Sequence, residues 1–276
     1  MKKLAGKIIL TCFALSFAAM SAVKANAAMI ETDIVIFMDE SGSMNADASG
    51  MLTTNIFSNL SLFNSSLFKR DIKANYSIVA FGGSSNDFGR ILQNFTTDLG
   101  ALFAAVSDDD TGLEYAGTNE FPFIAIQQAL SAFINADVLS YTSDAIRNFI
   151  VFTDEEPDDG TEADATQRAL NDNNVRLNAV LSGGSTTGEL GSMAIETGGN
   201  VFDLDTLMTA SNQQAGQFMA DLGDVKASEI IEDYCDANPE AEVCLEDSTP
   251  VNAPATLGLM FTGLIALGIR QRKRRA

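Results

Sequence analysis

Residues 32–38 open with Thr32 and Asp33 and continue as an unbroken apolar run from Ile34 to Met38, the composition of a strand buried on both faces of a parallel sheet. Residues 75–81 and 148–153 repeat that pattern, and residues 175–181 supply a further strand ended by Gly183 and Gly184. Between these runs the period changes. Met51, Ile56, Leu60, Phe63 and Leu67 recur three to five positions apart, which predicts a helix over 46–68. Residues 82–87 are a turn cluster of Gly, Ser, Asn and Asp leading to a strand over 88–95, so 75–81 and 88–95 are expected to pair as a hairpin. Further helices are expected over 99–106, 121–134, 161–174, 188–197 and 208–231, with Thr161 as an N-cap and a short edge strand at 200–204. Strands alternating with helices predict a doubly wound α/β fold. Its central sheet is mostly parallel with one antiparallel edge strand, and helices cover both faces. Residues 30–231 make up that domain, and the acidic, Pro-containing stretch 232–250 reads as a spacer.

The two ends have a different character. Lys2, Lys3 and Lys7 precede an apolar stretch from Ile8 to Val23, and Ala25-Asn26-Ala27 follows as a small-residue cleavage site. That order reads as a signal peptide over 1–27, cut after Ala27 or Ala28. At the other end an uncharged run over 255–269 is followed by Arg270, Arg272, Lys273, Arg274 and Arg275. The run is short for a bilayer span of roughly 20 residues, and its cations favour the cytoplasmic side.

Charge sharpens the picture. The chain has 17 Lys+Arg, 37 Asp+Glu and a net charge of −20. Nine of the cations lie within residues 1–27 and 270–276, so eight remain among all 37 acids between them. A surface that acidic repels nucleic acid and anionic lipid and attracts divalent cations. There is no His, which excludes Ser–His–Asp and Cys–His catalytic pairs and His-ligated zinc. Beyond Cys12 in the leader, Cys235 and Cys244 flank a short acidic loop and read as one local disulfide in an exported chain.

The candidate chemistry sits at strand ends, where open α/β sheets bind ligands. The first strand runs into Asp39-Glu40-Ser41-Gly42-Ser43, which puts one carboxylate and two hydroxyls at alternate positions around a glycine turn. The strand over 148–153 runs into Asp154 and Glu155. Thr118, at a loop-to-helix junction after Gly117, offers a third hydroxyl, with Thr111 as the alternative. These are hard oxygen donors of the kind that hold Mg²⁺ or Mn²⁺, and Ca²⁺ is also compatible. Asp108–Asp110 and Asp158–Asp159 read as solvated loop acids. The segment from Asp39 lacks the late Glu of an EF-hand, and no Walker-type glycine loop is present.

Asp39-x-Ser41-x-Ser43 after a buried strand, Gly117-Thr118 before a helix, and a strand ending in Thr153-Asp154 together resemble the von Willebrand factor A family and its metal-ion-dependent adhesion site. The resemblance covers roughly residues 30–231 and implies a Rossmann-like fold. It implies that Ser41, Ser43 and Thr118 touch the metal directly while Asp39 and Asp154 act partly through water. It also implies a role in capturing an acidic group of a partner, either a protein or an extracellular polymer. Glu155 departs from the family, where many members have Gly, and bears on the class of partner. A metal-assisted hydrolase and a domain whose ion serves only stability are the alternatives. The last 26 residues, from Val251 through Pro254 and the apolar run to the basic end, resemble the PEP-CTERM sorting signal of Gram-negative bacteria. Its Pro-Glu-Pro stands here as Asn252-Ala253-Pro254. That resemblance implies processing by an exosortase-type transpeptidase and a cell-surface or exopolysaccharide setting.

Overall fold

The computed structural model describes residues 29–45, 51–83, 88–135, 137–185 and 188–245. The expected leader over 1–27, the expected sorting tail over 251–276 and positions 46–50 of the first expected helix lie outside the described residues. The chain divides into a compact unit ending at Tyr234 and a second beginning at Cys235. In chain order the elements are β1 (Ile30–Asp39), α1 (Met51–Ser58), α2 (Leu60–Phe68), β2 (Ile72–Phe81), β3 (Arg90–Thr96), α3 (Leu99–Ser107), α4 (Pro122–Leu130), the short β4 (Phe133–Ile134) and β5 (Asp137–Val138), β6 (Ile146–Thr153), α5 (Ala163–Asp172), β7 (Arg176–Leu181), α6 (Glu189–Glu196), β8 (Val201–Asp203), α7 (Asp205–Met208), α8 (Asn212–Ala237) and α9 (Glu242–Leu245).

Six strands form one sheet in the order β3-β2-β1-β6-β7-β8. All neighbours are parallel except β3, which runs antiparallel to β2 at one edge. β1 is central because its side chains are apolar on both faces, and every position but Glu31 is buried. On one face Val35 and Phe37 join Val79, Phe81, Phe149 and Leu177 in a core closed by Phe123 and Ile126 of α4, Leu170 of α5 and Met193 of α6. Phe37 and Phe149 meet edge to face at 5.1 Å. On the other face Ile34, Ile36 and Met38 are equally buried. Tyr76, paired with Ile34, packs there on Phe63 of α2 and donates its hydroxyl to Asn64 Oδ1 at 2.8 Å. Full burial of such a side chain stabilises by about 1.5–3 kcal/mol, so both faces contribute to the fold.

The elements differ from the sequence pattern where a polar side chain interrupts a helix. The helix expected over 46–68 is two helices, because Asn59 turns its amide back to Asn55 O at 2.9 Å and across to Asn212 Oδ1 at 3.1 Å. The helix expected from 208 begins at Asn212 and continues past 231 to Ala237. Its start is a capping box. Gln214 Oε1 accepts from the backbone N–H and hydroxyl of Ser211 at 3.0 and 2.8 Å, and Gln214 N–H donates to Ser211 Oγ at 3.4 Å. The helix expected over 121–134 stops at Leu130. Left-handed Ala132 (φ 63°) and Asn135 (φ 54°) then bring Phe133–Ile134 and Asp137–Val138 together as the small antiparallel pair β4-β5.

In the second unit Cys235 and Cys244 are joined by a disulfide, with their Cα atoms 5.4 Å apart. Among the described residues no helix is long and apolar enough to cross a membrane.

Candidate metal centre

After β1 the chain moves outward to β2 and β3, then crosses to the other side of β1 to form β6, β7 and β8. The carboxyl ends of β1 and β6 therefore flank the switch point of the sheet, the crevice where α/β sheets bind ligands. Asp39 ends β1 and Thr153 ends β6. The Thr153 hydroxyl donates to Asp39 Oδ2 at 2.6 Å, while Ser41 N–H donates to Asp39 Oδ1 at 2.8 Å. Asp39 is fully buried, and these two bonds fix its carboxylate and fold the segment after it back over the strand end. Ser41 Oγ and Ser43 Oγ then lie 2.9 Å apart, and Ser43 Oγ donates to Asp154 Oδ1 at 3.0 Å. Ser41, Ser43 and Asp154 thus form one run of side-chain contacts at the rim, joined through Ser41 N–H to the Asp39–Thr153 pair.

Thr118 approaches through its loop. Ala116 N–H donates to Glu40 O at 2.9 Å, and Gly42 N–H donates to Gly117 O at 3.2 Å, so the loop bearing Thr118 is sewn to the Ser41–Ser43 turn. Thr118 itself is exposed. Thr111 is placed elsewhere. Its hydroxyl and N–H both bond Asp108 Oδ1, at 2.8 and 2.7 Å, in an exposed turn that Asp110 N–H completes at 3.0 Å.

Three supporting groups carried no signal in the sequence pattern. Glu40, fully buried, accepts from Arg90 Nε at 3.0 Å, Arg90 Nη2 at 2.5 Å and Glu114 N–H at 2.9 Å. Asp158 is exposed, as the sequence reading of a solvated loop acid has it, whereas Asp159 is buried and is not a solvated acid. Asp158 Oδ2 accepts from Glu120 N–H at 3.1 Å. Asp159, 5 % exposed, accepts from Ile124 N–H at 2.8 Å. The N-terminus of α4 has free N–H groups and Phe121 at its N-cap supplies no side-chain acceptor, so Asp159 caps it from the neighbouring loop while Asp158 holds Glu120 just ahead of it. The third is Gly82, whose φ of +84° is left-handed and whose added Cβ would lie 2.9 Å from Asp39 Oδ1. Gly82→Ala is expected to cost about 1–2 kcal/mol from backbone strain alone and more once the Asp39 carboxylate is pushed from Thr153. Urea unfolding of the two proteins reads it, and equal midpoints would show that the turn relaxes freely.

The rim is strongly acidic. Burial raises the Asp39 carboxyl pKa to about 6 against the hydrogen bonds from Thr153 and Ser41, and Asp154 raises it further. Burial also raises Asp154, with Glu155 and Asp205 adding to the effect and Ser43 opposing it. Burial, followed by the charges of Asp39 and Glu155 and contact with Asp158, pushes the Glu120 carboxyl up to about 7. Among the described residues no Lys or Arg forms an ion pair with Asp39, Asp154 or Glu155, and the nearby Arg90 is committed to Glu40 and Glu114. No group of three or more acidic or sulfur ligands that could hold a metal ion occurs among the described residues either. The donor set is instead two carboxylates with adjoining hydroxyls, uncompensated by cationic side chains. It fits a small hard divalent cation, whose charge two carboxylates match.

Comparison with known proteins follows the same lines. No curated protein sequence matches the chain. Among solved structures, proximal thread matrix protein 1 from the mussel byssus, with a zinc-occupied MIDAS motif, superposes with a TM-score of 0.50 at 16% identity, over 73% of this chain and 46% of that one. A second structure of the same mussel protein gives 0.50 at 13% identity, over 72% and 48%. The open conformation of the pilus adhesin SpaC from Lactobacillus rhamnosus GG gives 0.46 at 15% identity, over 75% of this chain and 30% of that one. The chain thus spans about half the length of the byssus protein and under a third of the adhesin. The model of the von Willebrand factor type A domain matches residues 33–215, which run from Asp33 within β1 to the first turn of α8 and include every residue of the candidate centre. With more than half of its length matched, and with a six-stranded, mostly parallel sheet bearing one antiparallel edge strand, the chain belongs to the von Willebrand factor type A domain family.

Proposed function

We propose that this protein is an exported adhesion module that captures a partner through a divalent cation held by Asp39, Ser41, Ser43, Thr118 and Asp154. The observation that carries this reading is the unbroken run of contacts from Ser41 Oγ through Ser43 Oγ to Asp154 Oδ1, beside a buried Asp39. Ser41, Ser43 and Thr118 are the direct ligands in this reading, and Asp39 and Asp154 act partly through water. When bound, the ion supplies an electrophilic point that accepts an anionic oxygen from a partner. The protein's own part is to hold the donors still. Thr153 and Ser41 N–H lock Asp39, and Asp39 in turn holds the start of the turn bearing both serines. Hard oxygen ligands favour Mg²⁺, with Mn²⁺ and Ca²⁺ as substitutes. A byssus matrix protein of the same fold was solved with its MIDAS occupied by zinc.

Binding is favoured over hydrolysis because the chain has no His and Cys235 and Cys244 are paired in a disulfide, so neither residue type supplies a nucleophile or base at the rim. The basic, apolar and small-residue order over 1–27 supports export, and the tail over 251–276 supports transient anchoring and exosortase-type processing at a cell surface rich in polymer. The partner is then a protein or an extracellular polymer bearing carboxylates. Isothermal titration of Mg²⁺ into the wild-type chain and Ser43→Ala tests the centre, and recovery of bound material from native extracellular matrix with Mg²⁺ against chelator tests the capture. Heat of binding is expected from the wild type alone, with material recovered only when the cation is present. Equal heats, or recovery indifferent to chelator, would remove the proposal.

A further inference from the structure

At the opposite end of the strands three polar side chains meet in a place with no solvent. Lys226 of α8 is fully buried, and so is Asn148 of β6, while Glu229, one turn along α8, is 4 % exposed. Lys226 Nζ donates to Asn148 Oδ1 at 3.1 Å and stands 2.7 Å from Glu229 Oε2. The second contact is off-axis, for Glu229 Oε2 has no aligned hydrogen-bond partner. Glu229 Oε1 is clamped by Asn178 Nδ2 at 2.8 Å and Asn200 Nδ2 at 2.6 Å. Asn148 Nδ2 in turn donates to Thr32 Oγ1 at 3.1 Å, whose hydroxyl donates to Ile146 O at 2.8 Å. A buried ion pair is at best weakly stabilising relative to apolar side chains of the same volume. Stability therefore gives no reason to align the amine on a carboxamide whose residue pairs in the sheet with the fully buried Ile34.

We propose that Lys226 and Asn148 are joined by an intramolecular isopeptide bond, formed by the protein itself with Glu229 as the proton carrier. A carbonyl bond is about 1.23 Å long, so Asn148 Cγ lies no more than about 4.3 Å from the Nζ that is 3.1 Å from its oxygen. Burial pushes the Lys226 pKa down. In the reaction the Nζ proton passes to Glu229, 2.7 Å away, which leaves a neutral amine beside a carboxylic acid. The Nζ lone pair adds to Cγ. Glu229 then gives its proton to Nδ2, the Cγ–Nδ2 bond breaks and ammonia leaves. The extra proton on Nζ passes to Glu229, which is again the carboxylic acid it was when the amine attacked, and loss of that proton with the departing ammonia, as ammonium, restores the carboxylate of the ion pair. An amine and a primary amide become a secondary amide and ammonia, with no change of oxidation state. Thr32, accepting from Nδ2, positions the leaving nitrogen. The product ties the last long helix to the middle of the sheet across 78 residues of sequence.

The full chain tests this directly by tryptic mapping after reduction and denaturation. Cleavage after Arg147 gives a peptide beginning at Asn148, and cleavage after Lys226 gives one ending there. With the bond present, cleavage at Lys226 is lost. The Asn148 peptide is then recovered only as a branched species with the Lys226 peptide, lighter than their sum by one ammonia. Glu229→Gln keeps the shape of the side chain and is expected to abolish the branched species, and Lys226→Arg abolishes it by removing the primary amine. A wild-type digest that yields the free Asn148 peptide and full cleavage at Lys226 overturns the proposal without any variant. Hydrolysis of Asn148 to Asp with Lys226 free overturns it equally. An undiminished branched species in Glu229→Gln overturns the role of Glu229.

Discussion

Replacing Arg90 with alanine is expected to lower the unfolding free energy by about 3–5 kcal/mol, the range for stripping one partner from a buried ion pair. Glu40 is fully buried and receives two of its three hydrogen bonds from Arg90. In the variant its charge has only Glu114 N–H for compensation in a dry place. Arg90 also donates to the carbonyls of Thr111 and Gly112, at 2.9 and 2.5 Å, and these lose their partner as well. The side chain of Arg90 is 20% exposed, so water can reach part of the vacated space, which argues for the lower half of that range. Glu40→Gln keeps the shape and removes the charge, and a double change to apolar residues removes both charges at once. The expected order of urea midpoints is wild type, then Glu40→Gln, then Arg90→Ala, with Arg90→Met combined with Glu40→Leu above Arg90→Ala. An Arg90→Ala midpoint equal to that of the wild type would show that Glu40 is solvated or neutral without its partner. The same pair matters to the centre, because Glu40 O receives Ala116 N–H and so helps hold the loop that carries Thr118.

That pair also shows where sequence pattern stops being informative. β1, β2, β6 and β7 are legible because strands covered on both faces leave little room for polar residues, and their apolar runs stand out from the helical spacing around them. Asp39 and Asp154 close two such runs, and parallel pairing of β1 with β6 sends both ends to the same rim. Glu40 and Arg90 lie 50 residues apart, and neither is marked by its neighbours as buried. Asp159 reads as a loop acid until α4 is seen to lack an N-cap of its own. Lys226 and Glu229 sit in a helix whose spacing suggests only a solvated pair, and it takes Asn148 and Asn178, the polar interruptions of β6 and β7, to show that the pair faces inward. The start of α8 is a different case. Ser211 followed three residues later by Gln214 is a capping box, readable from sequence alone and a better guide than the apolar spacing that begins at Met208.

Asp39→Asn is expected to separate the stability of the fold from its response to cation. The change removes a buried charge whose ionised form the surroundings disfavour, and Asn still offers an oxygen to Ser41 N–H. Its amide nitrogen faces Thr153 Oγ1, and the hydroxyl can turn to accept from it, for it already has an alternative acceptor in Glu155 O at 3.3 Å. In chelator the variant should therefore unfold within about 1 kcal/mol of the wild type, since one hydrogen bond is exchanged for another. With Mg²⁺ at a hundred times its dissociation constant, the wild type should gain about 2.7 kcal/mol from ligation of the native state alone. The variant should gain almost nothing, because one of the two carboxylates that match the ion's charge is gone. Paired melting curves in Mg²⁺ and in chelator measure both quantities on the same two proteins. Equal rises in melting temperature would place the cation elsewhere, and a variant that unfolds several kcal/mol earlier in chelator would make Asp39 a structural acid rather than a held ligand.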